Sequence, residues 1–191
     1  MSPGDYRGNT YSDHKPCLEG IKRLSGVISS DIYAVLGNHD PFALVADLEA
    51  LGIRVLLNEN VAIKHKDATI YLAGVDDAHF YRTHEIAKAA ANIPECKVKI
   101  LLSHTPEIYM DAAKAGFDLM LSGHTYGGQI CLPGGIPILW ECNIPRAYAT
   151  GAWAYARMAG YTSVGAGSCC VPVRFNNHPE ITLHRLRLGA N

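Results

Sequence analysis

The sequence has almost no charge imbalance: 17 Lys and Arg stand against 18 Asp and Glu, a net charge of -1 with the nine histidines neutral. That excludes a broad electrostatic pull toward nucleic acid or anionic lipid, so no nucleic-acid partner is expected. An anionic substrate must be held by a local site or by bound metal ions. The six cysteines (Cys17, Cys96, Cys131, Cys142, Cys169, Cys170) include no C-x-x-C pair. This excludes a zinc ribbon and a disulfide framework and leaves buried, reduced thiols as the plain reading. Long apolar runs are missing too. The longest stretch without Asp, Glu, Lys or Arg, residues 119–140, holds five glycines, two prolines and a histidine and is no membrane span. Met1 is followed directly by Ser2-Pro3-Gly4-Asp5, where a secretory leader would be basic and then apolar. The expectation is a cytoplasmic chain, with membrane association left to any segment upstream. There is no internal repeat. No Gly-x-Ser-x-Gly elbow is present, and the adjacent Ser103 and His104 cannot serve as nucleophile and base in the required geometry.

What is present suits one globular domain over residues 1–191, with 48% hydrophobic and 18% charged residues. Asp13 can cap a helix with Pro16 in its first turn, and Cys17, Ile21, Leu24 and Ile28 recur along one face. Residues 31–36 read as a buried strand, followed by a helix with Pro41 at its first position, Leu44, Leu48 and Leu51 inside, and Gly52 as its stop. Shorter strands are expected at 53–57, 61–65 and 69–74, the last two joined by a Lys66-Asp67 turn. A helix follows at 83–92, a strand at 98–102, a helix capped by Thr105 and stopped at Gly116, and a strand at 117–121. Strands at 136–140, 161–165, 170–175 and 181–188 complete the reading. Strand and helix alternate first and strands dominate later, which predicts an α/β or α+β layered domain.

Three junctions carry the chemistry. Each follows an apolar run: Leu36-Gly37-Asn38-His39-Asp40, Leu102-Ser103-His104-Thr105-Pro106, and Leu121-Ser122-Gly123-His124-Thr125-Tyr126-Gly127-Gly128-Gln129. Ligands of α/β sheets bind at the carboxyl ends of strands, so parallel neighbours would bring Asn38, His104 and His124 to one rim. With the carboxylate of Asp5 they form a mixed oxygen and nitrogen donor set, which suits Mn, Fe or Zn better than Mg or Ca. His39 would sit beside the metal, oriented by Asp40, and give a proton to a leaving alkoxide. His65, His178 and His184 lie outside any junction and read as structural. Asp76, Asp77 and His79 read as an acidic loop, and Cys169-Cys170 as buried thiols.

In this order, Gly4-Asp5, Gly37-Asn38-His39-Asp40, Ser103-His104-Thr105-Pro106 and Gly123-His124-Thr125-Tyr126-Gly127-Gly128-Gln129 resemble the calcineurin-like metallophosphoesterase superfamily. The likeness is greatest to its bacterial branch with a Gly-His-Thr-His-Gly-Gly-Gln motif, whose members act on phosphodiesters and lipid pyrophosphates. The resemblance implies a two-sheet β-sandwich flanked by helices and two divalent metal ions. One ion would take Asp5, Asn38, His104 and His124, and His39 would be proton donor or phosphate contact. A metal-activated hydroxide would attack the phosphorus of a small-molecule or lipid phosphoester. Two features depart from the pattern. The family's Asp-x-His lies upstream of Gly-Asp, and this chain has no room for it, so an N-terminally truncated domain lacking strands of the sandwich is expected. Tyr126 replaces the second His of Gly-His-x-His and stands as a metal or phosphate contact. The second ion therefore keeps only Asp5, and the alternative reading is a degenerate member that binds with one metal or none.

Overall fold

The computed structural model describes residues 1–7, 13–139 and 141–187. Gly8 and Asn9 of the opening turn, and the expected strand ends at Trp140 and Leu188, lie outside them. Helix α1 (Lys15–Ser25) begins where Asp13 Oδ1 accepts the N–H of Lys15, at 3.0 Å, with Pro16 in its first turn. Only part of its expected inner face is used. Cys17, Leu18 and Ile21 pack inward, whereas Leu24 and Ile28 are exposed. The strands it covers, β1 (Ile32–Ala34) and β2 (Ile53–Val55), have three residues each. Such strands are about 10 Å long and cannot underlie all of a helix of about 16 Å.

Between them runs α2 (Leu44–Ala50), which buries Leu44 and Leu48 and ends before Gly52 at φ 78°. Pro41 stays outside it, in the turn that carries the first junction. Strands β1 and β2 pair in parallel, and Ser2 adds a bridge to Ala34. Next come the antiparallel hairpin β3 (Glu59–His65) and β4 (Ala68–Gly74), turning at Lys66-Asp67 as expected.

Helix α3 (Ile86–Ala89) is one turn long, shorter than the span 83–92 predicts. The cause is local. Glu85 is extended, at φ -125° and ψ 82°, and Asn92 holds φ 62°, so the backbone leaves helical conformation at both ends. Strand β5 (Val98–Leu102), helix α4 (Tyr109–Lys114) and strand β6 (Leu119–Ser122) follow the expected pattern, α4 being preceded by a 3-10 turn that the Thr105 hydroxyl caps.

The second half departs further. A two-residue ladder joins β7 (Cys131–Leu132) to β8 (Ile136–Pro137), and the hairpin β9 (Gly151–Tyr155) and β10 (Met158–Thr162) includes a strand that was not anticipated. Residues 170–175 and 181–187 form no strand; Phe175 makes a single bridge to Ile130. Backbone bonds tie Phe175 to Gln129 and Cys131, and side chains fasten the rest of the segment to its surroundings. Gln129 donates to the carbonyls of Cys169 and Val171, and Arg174 to those of Tyr126, Val164, Gly165 and Gly167.

The main sheet has six strands in the order β3-β4-β5-β6-β10-β9. Its four central strands are parallel and the outer two antiparallel. Alternation along the strands sorts the core into two faces. Leu72, Ile100, Leu102 and Leu121 pack with Val35 and Leu56, which follow β1 and β2. Ala73, Leu101 and Met120 pack the opposite way, onto Ala89, Tyr109, Ala112 and Trp153. Helices α1 and α2 cover the outer face of the β1–β2 pair through Ala34, Leu36, Leu44, Leu48, Ile53 and Val55. The layers are thus helix, small sheet, large mixed sheet, helix, which is a two-sheet α/β sandwich. Each fully buried leucine contributes about 2 kcal/mol by removal from water. Among the described residues, no helix is long and apolar enough to cross a membrane.

Candidate metal centre

Parallel neighbours β5 and β6 end side by side, and what leaves their carboxyl ends is His104 and His124. Asn38 arrives from the other sheet, beyond β1, so the rim is shared by both layers of the sandwich. Asp5 is delivered by a crossing of two loops with no room for a side chain. A Cβ on Gly4 would lie 2.3 Å from the N of Gly37, and one on Gly37 would lie 2.2 Å from Asp5 Oδ1. Glycine at both positions lets the Gly-Asp and Gly-Asn-His-Asp loops touch.

Asp40, expected to orient His39, has its carboxylate turned to the backbone of this crossing. Its oxygens accept the N–H groups of Asp5, Tyr6 and Gly37 at 2.7, 2.9 and 2.9 Å. Burial and the nearby charge of Asp5 hold its pKa above the usual carboxylate range despite these donors. Asp40 is a bracket that fixes where Asp5 points. Asp5 in turn accepts the N–H of His39 on Oδ1 at 3.1 Å, which leaves Oδ2 facing inward.

The centre of convergence is His104 Nε2. Asp5 Oδ2 lies 3.3 Å from it, Asn38 Oδ1 3.0 Å and His124 Nδ1 3.1 Å. Both imidazoles have their other nitrogen committed: His104 Nδ1 faces the carbonyl of Pro3 at 2.6 Å and His124 Nε2 that of Glu141 at 2.9 Å. A carbonyl only accepts, so each of those nitrogens carries a proton, and in the neutral ring each inward nitrogen presents a lone pair. Four electron-rich atoms thus crowd one point, and the carboxylate and ring atoms of Asp5, His104 and His124 lie within 4.8 Å of one another. Such a set is stable around a cation and repulsive without one. The arrangement fits a divalent metal ion at Asp5, His104 and His124, with Asn38 Oδ1 beside them.

Electrostatics agree with a site that waits for positive charge. Burial pulls His104 down, but the hydrogen bond and charge of Asp5 outweigh it and leave the imidazole above its ordinary value. His124 is pushed the other way, to about 4, by burial and by the neighbouring His104 and His79. Asp5 and His124 both hold left-handed backbone, φ 58° and 69°, as do Tyr126 and Gln129 at 50° and 52°. Non-glycine residues accept that conformation at a cost that packing must offset, and such strain gathers at ligand sites.

Of the remaining site residues, His39 lines the adjoining cleft, and its Nε2 lies 3.4 Å from Asn38 Nδ2. The cleft has a volume of about 450 Å³. Its polar end is Asp5, His39 and His124, and its apolar wall is Ile130, Ile138, Leu139 and Val171. Tyr126 lines it as well. Its carbonyl takes the amide of Asn177 at 2.6 Å, and the Arg174 guanidinium lies over its ring, 5.7 Å from the centroid. Burial holds the phenol well above its ordinary pKa, so it is a neutral hydroxyl.

Glu107, and His79 which the sequence places in an acidic loop, support His124. The ring of His79 packs against it at a 46° tilt with centroids 4.4 Å apart, and His79 Nδ1 lies 2.8 Å from Glu107 Oε2. Burial raises Glu107, but His79 and the N–H of Asn143 more than offset it, and the carboxyl sits below its usual range. Thr105 reads only as a helix cap, and nothing in the sequence ties Glu107 or His79 to His124. The loop containing Asp76 and Asp77 is structural as read, since Asp77 accepts the N–H groups of His79, Phe80 and Tyr81.

Comparison with known proteins addresses the family. An uncharacterized metallophosphoesterase of Aquifex aeolicus is 39% identical over 96% of this chain and 72% of its own length. Phosphodiesterase YaeI of Escherichia coli is 30% identical over 81% of this chain and 57% of its own, and the uncharacterized metallophosphoesterase YkoQ of Bacillus subtilis 29% over 87% and 67%. The chain spans roughly 60% of the length of several curated relatives it matches. No family model matches it, and no solved structure matches it significantly. A relative 39% identical and covered over 72% of its length decides membership: the chain belongs to the calcineurin-like metallophosphoesterase superfamily.

Proposed function

We propose that this chain hydrolyses phosphoester bonds, with a phosphodiester or pyrophosphate of a small molecule or lipid as substrate and one divalent transition metal ion at Asp5, Asn38, His104 and His124. The observation that carries the reading is the convergence of four donor atoms on one point with both imidazole tautomers fixed by carbonyls. A bound ion supplies charge that neutralises phosphoryl oxygens and lowers the pKa of water. The chain's own residues supply the rest. Asp40 holds Asp5 in place, Asn38 and the two imidazoles would hold the ion, and His39 at the cleft gives a proton to the leaving oxygen. The apolar wall of Ile130, Ile138, Leu139 and Val171 suits an alkyl or acyl group and offers nothing to a charged phosphopeptide.

The test is the purified chain loaded with Mn2+, assayed on bis(p-nitrophenyl) phosphate, p-nitrophenyl phosphate and a phosphopeptide. The diester is expected to be the best substrate. His39→Ala is expected to lower kcat by about 10²- to 10⁴-fold, the range of a general acid, with metal content unchanged. An unaltered rate in that variant would remove His39 from its assigned role, and a preference for the phosphopeptide would overturn the substrate class.

A further inference from the structure

Cys169 and Cys170 both reach the mouth of the cleft that holds Asp5, His39 and His124. The sequence reads them as buried thiols; the structure corrects this, with Cys170 exposed, Cys169 half-buried and both free. Their sulfurs lie 3.6 Å apart. Gln129, the last residue of the His124 loop, holds the pair in place. Its Oε1 accepts the N–H of Cys169 at 2.6 Å, and its Nε2 donates to the carbonyls of Cys169 and Val171 at 2.9 and 3.0 Å. Cys170 takes left-handed backbone at φ 60°.

We propose that Cys169 and Cys170 form an oxidisable vicinal dithiol, a modification site that a peroxide closes to a disulfide and a small thiol reopens. In the first step the Cys170 thiolate attacks a peroxide oxygen; the O–O bond breaks, a sulfenic acid forms, and the first water leaves. Cys169 then attacks the sulfenic sulfur. The S–S bond forms, the S–O bond breaks, and the second water leaves, so two thiols lose two electrons and the peroxide gains them. Cys170 goes first because it meets solvent, whereas burial and the adjacent thiol push Cys169 up to about 11.

Reversibility follows from chain geometry. Adjacent Cα atoms are about 3.8 Å apart, below the roughly 4.4 Å at which ordinary disulfides begin, so the closed ring is strained and easily reduced. Closing it must move the backbone at Cys170, and Gln129 ties that movement to the loop of Tyr126 and His124. The effect on turnover rests on the phosphoesterase reading above.

The experiment treats the reduced, full chain with hydrogen peroxide, alkylates it, digests it and weighs the peptides. The peptide with Cys169 and Cys170 is expected to lose two hydrogens and both alkylation sites, and dithiothreitol to restore them. Cys170→Ser is expected not to close. Two alkylated cysteines after peroxide, a sulfinic acid, or a bond to another chain would each overturn the proposal. The rate on bis(p-nitrophenyl) phosphate is expected to fall with closure and recover on reduction in the native chain, and to be indifferent to peroxide in Cys170→Ser. Closure at an unchanged rate would overturn the coupling to turnover. Reduced protein inactive on every phosphoester would overturn the functional reading and leave the dithiol standing on its mass.

Discussion

The two sides of the cleft are built by opposite means. On one, Asp5, His104 and His124 are held by backbone: three N–H groups fix Asp40 behind Asp5, and carbonyls of Pro3 and Glu141 fix the imidazoles. On the other, Tyr126, Gln129 and the segment around residues 169–174 are held by side chains reaching over to carbonyls, chiefly those of Gln129 and Arg174. Backbone anchoring sets atoms for a metal, where misplacement of an ångström is costly. Side-chain anchoring tolerates substitution and movement. The first side should therefore fail sharply when altered, and the second by degrees.

The sharpest break is Asp40→Ala. It leaves three N–H groups at the loop crossing without an acceptor, each costing about 1–3 kcal/mol. A loss of about 3–5 kcal/mol is expected by urea unfolding, together with loss of bound metal, since Asp5 is no longer aimed. Asp40→Asn, which keeps one acceptor oxygen, should recover part of the stability. A fully stable Asp40→Ala would show that Asp40 is not the bracket and would restore the idea that it acts on His39.

His104→Ala should come next, with an effect on the metal more than on the fold. It removes the nitrogen on which the other three donors converge. Metal content by mass spectrometry should fall to background, and turnover should fall by at least about 100-fold, the size seen even for the supports of metal ligands. Chelation of the native chain should reproduce the same loss and re-addition of Mn2+ should reverse it. Retained metal in His104→Ala would place the ion elsewhere.

How much of this was legible in the sequence follows the same division. His104 and His124 could be placed because each ends an apolar strand: the run 98–102 delivers His104, and β6 delivers His124. Strand position, helix caps and glycine turns are local properties, and they identified the parallel strands and the junctions that bring Asn38, His104 and His124 to one rim. Two of Asp40's three partners could not be read, because Asp5 and Tyr6 lie 35 and 34 positions away in sequence. The same holds for the stack of His79 on His124 and for the last segment, where alternation suggested strands but Gln129 and Arg174 supply the bonds that a strand would have used. Strand β9 was missed because Gly151-Ala152-Trp153-Ala154-Tyr155 has small residues where branched ones mark a strand. It exists because Trp153 packs flat on Gly160, where a Cβ would lie 2.2 Å from its ring, and bonds Thr162 at 2.9 Å.

On the tolerant side, Tyr126→Phe should leave metal content unchanged. Burial keeps the phenol protonated, and a neutral hydroxyl is a poor ligand beside two imidazoles. The face that Arg174 covers is also kept in phenylalanine. A fall in bound metal for this variant would mean that Tyr126 binds as a phenolate and that the two sides are less different than drawn.

The smallest effect expected is that of Glu107→Gln, which probes how far the backbone-held side depends on support from behind. Glu107 is partly exposed, so its pairing with His79 contributes under about 1 kcal/mol to stability. The sign of its pH dependence is fixed by direction: the folded-state pKa lies below the ordinary value of 4.5, so the contribution is present above pH 4.5 and is lost as pH falls through the folded value. The difference in unfolding free energy between native and Glu107→Gln should therefore be constant at neutral pH and shrink in acid. Turnover should drop more than stability does, by roughly tenfold, because His79 loses the carboxylate that holds its ring against His124. A stability gap that widened in acid would reverse the assigned direction. A change in stability without one in metal affinity or turnover would confine Glu107 to the fold.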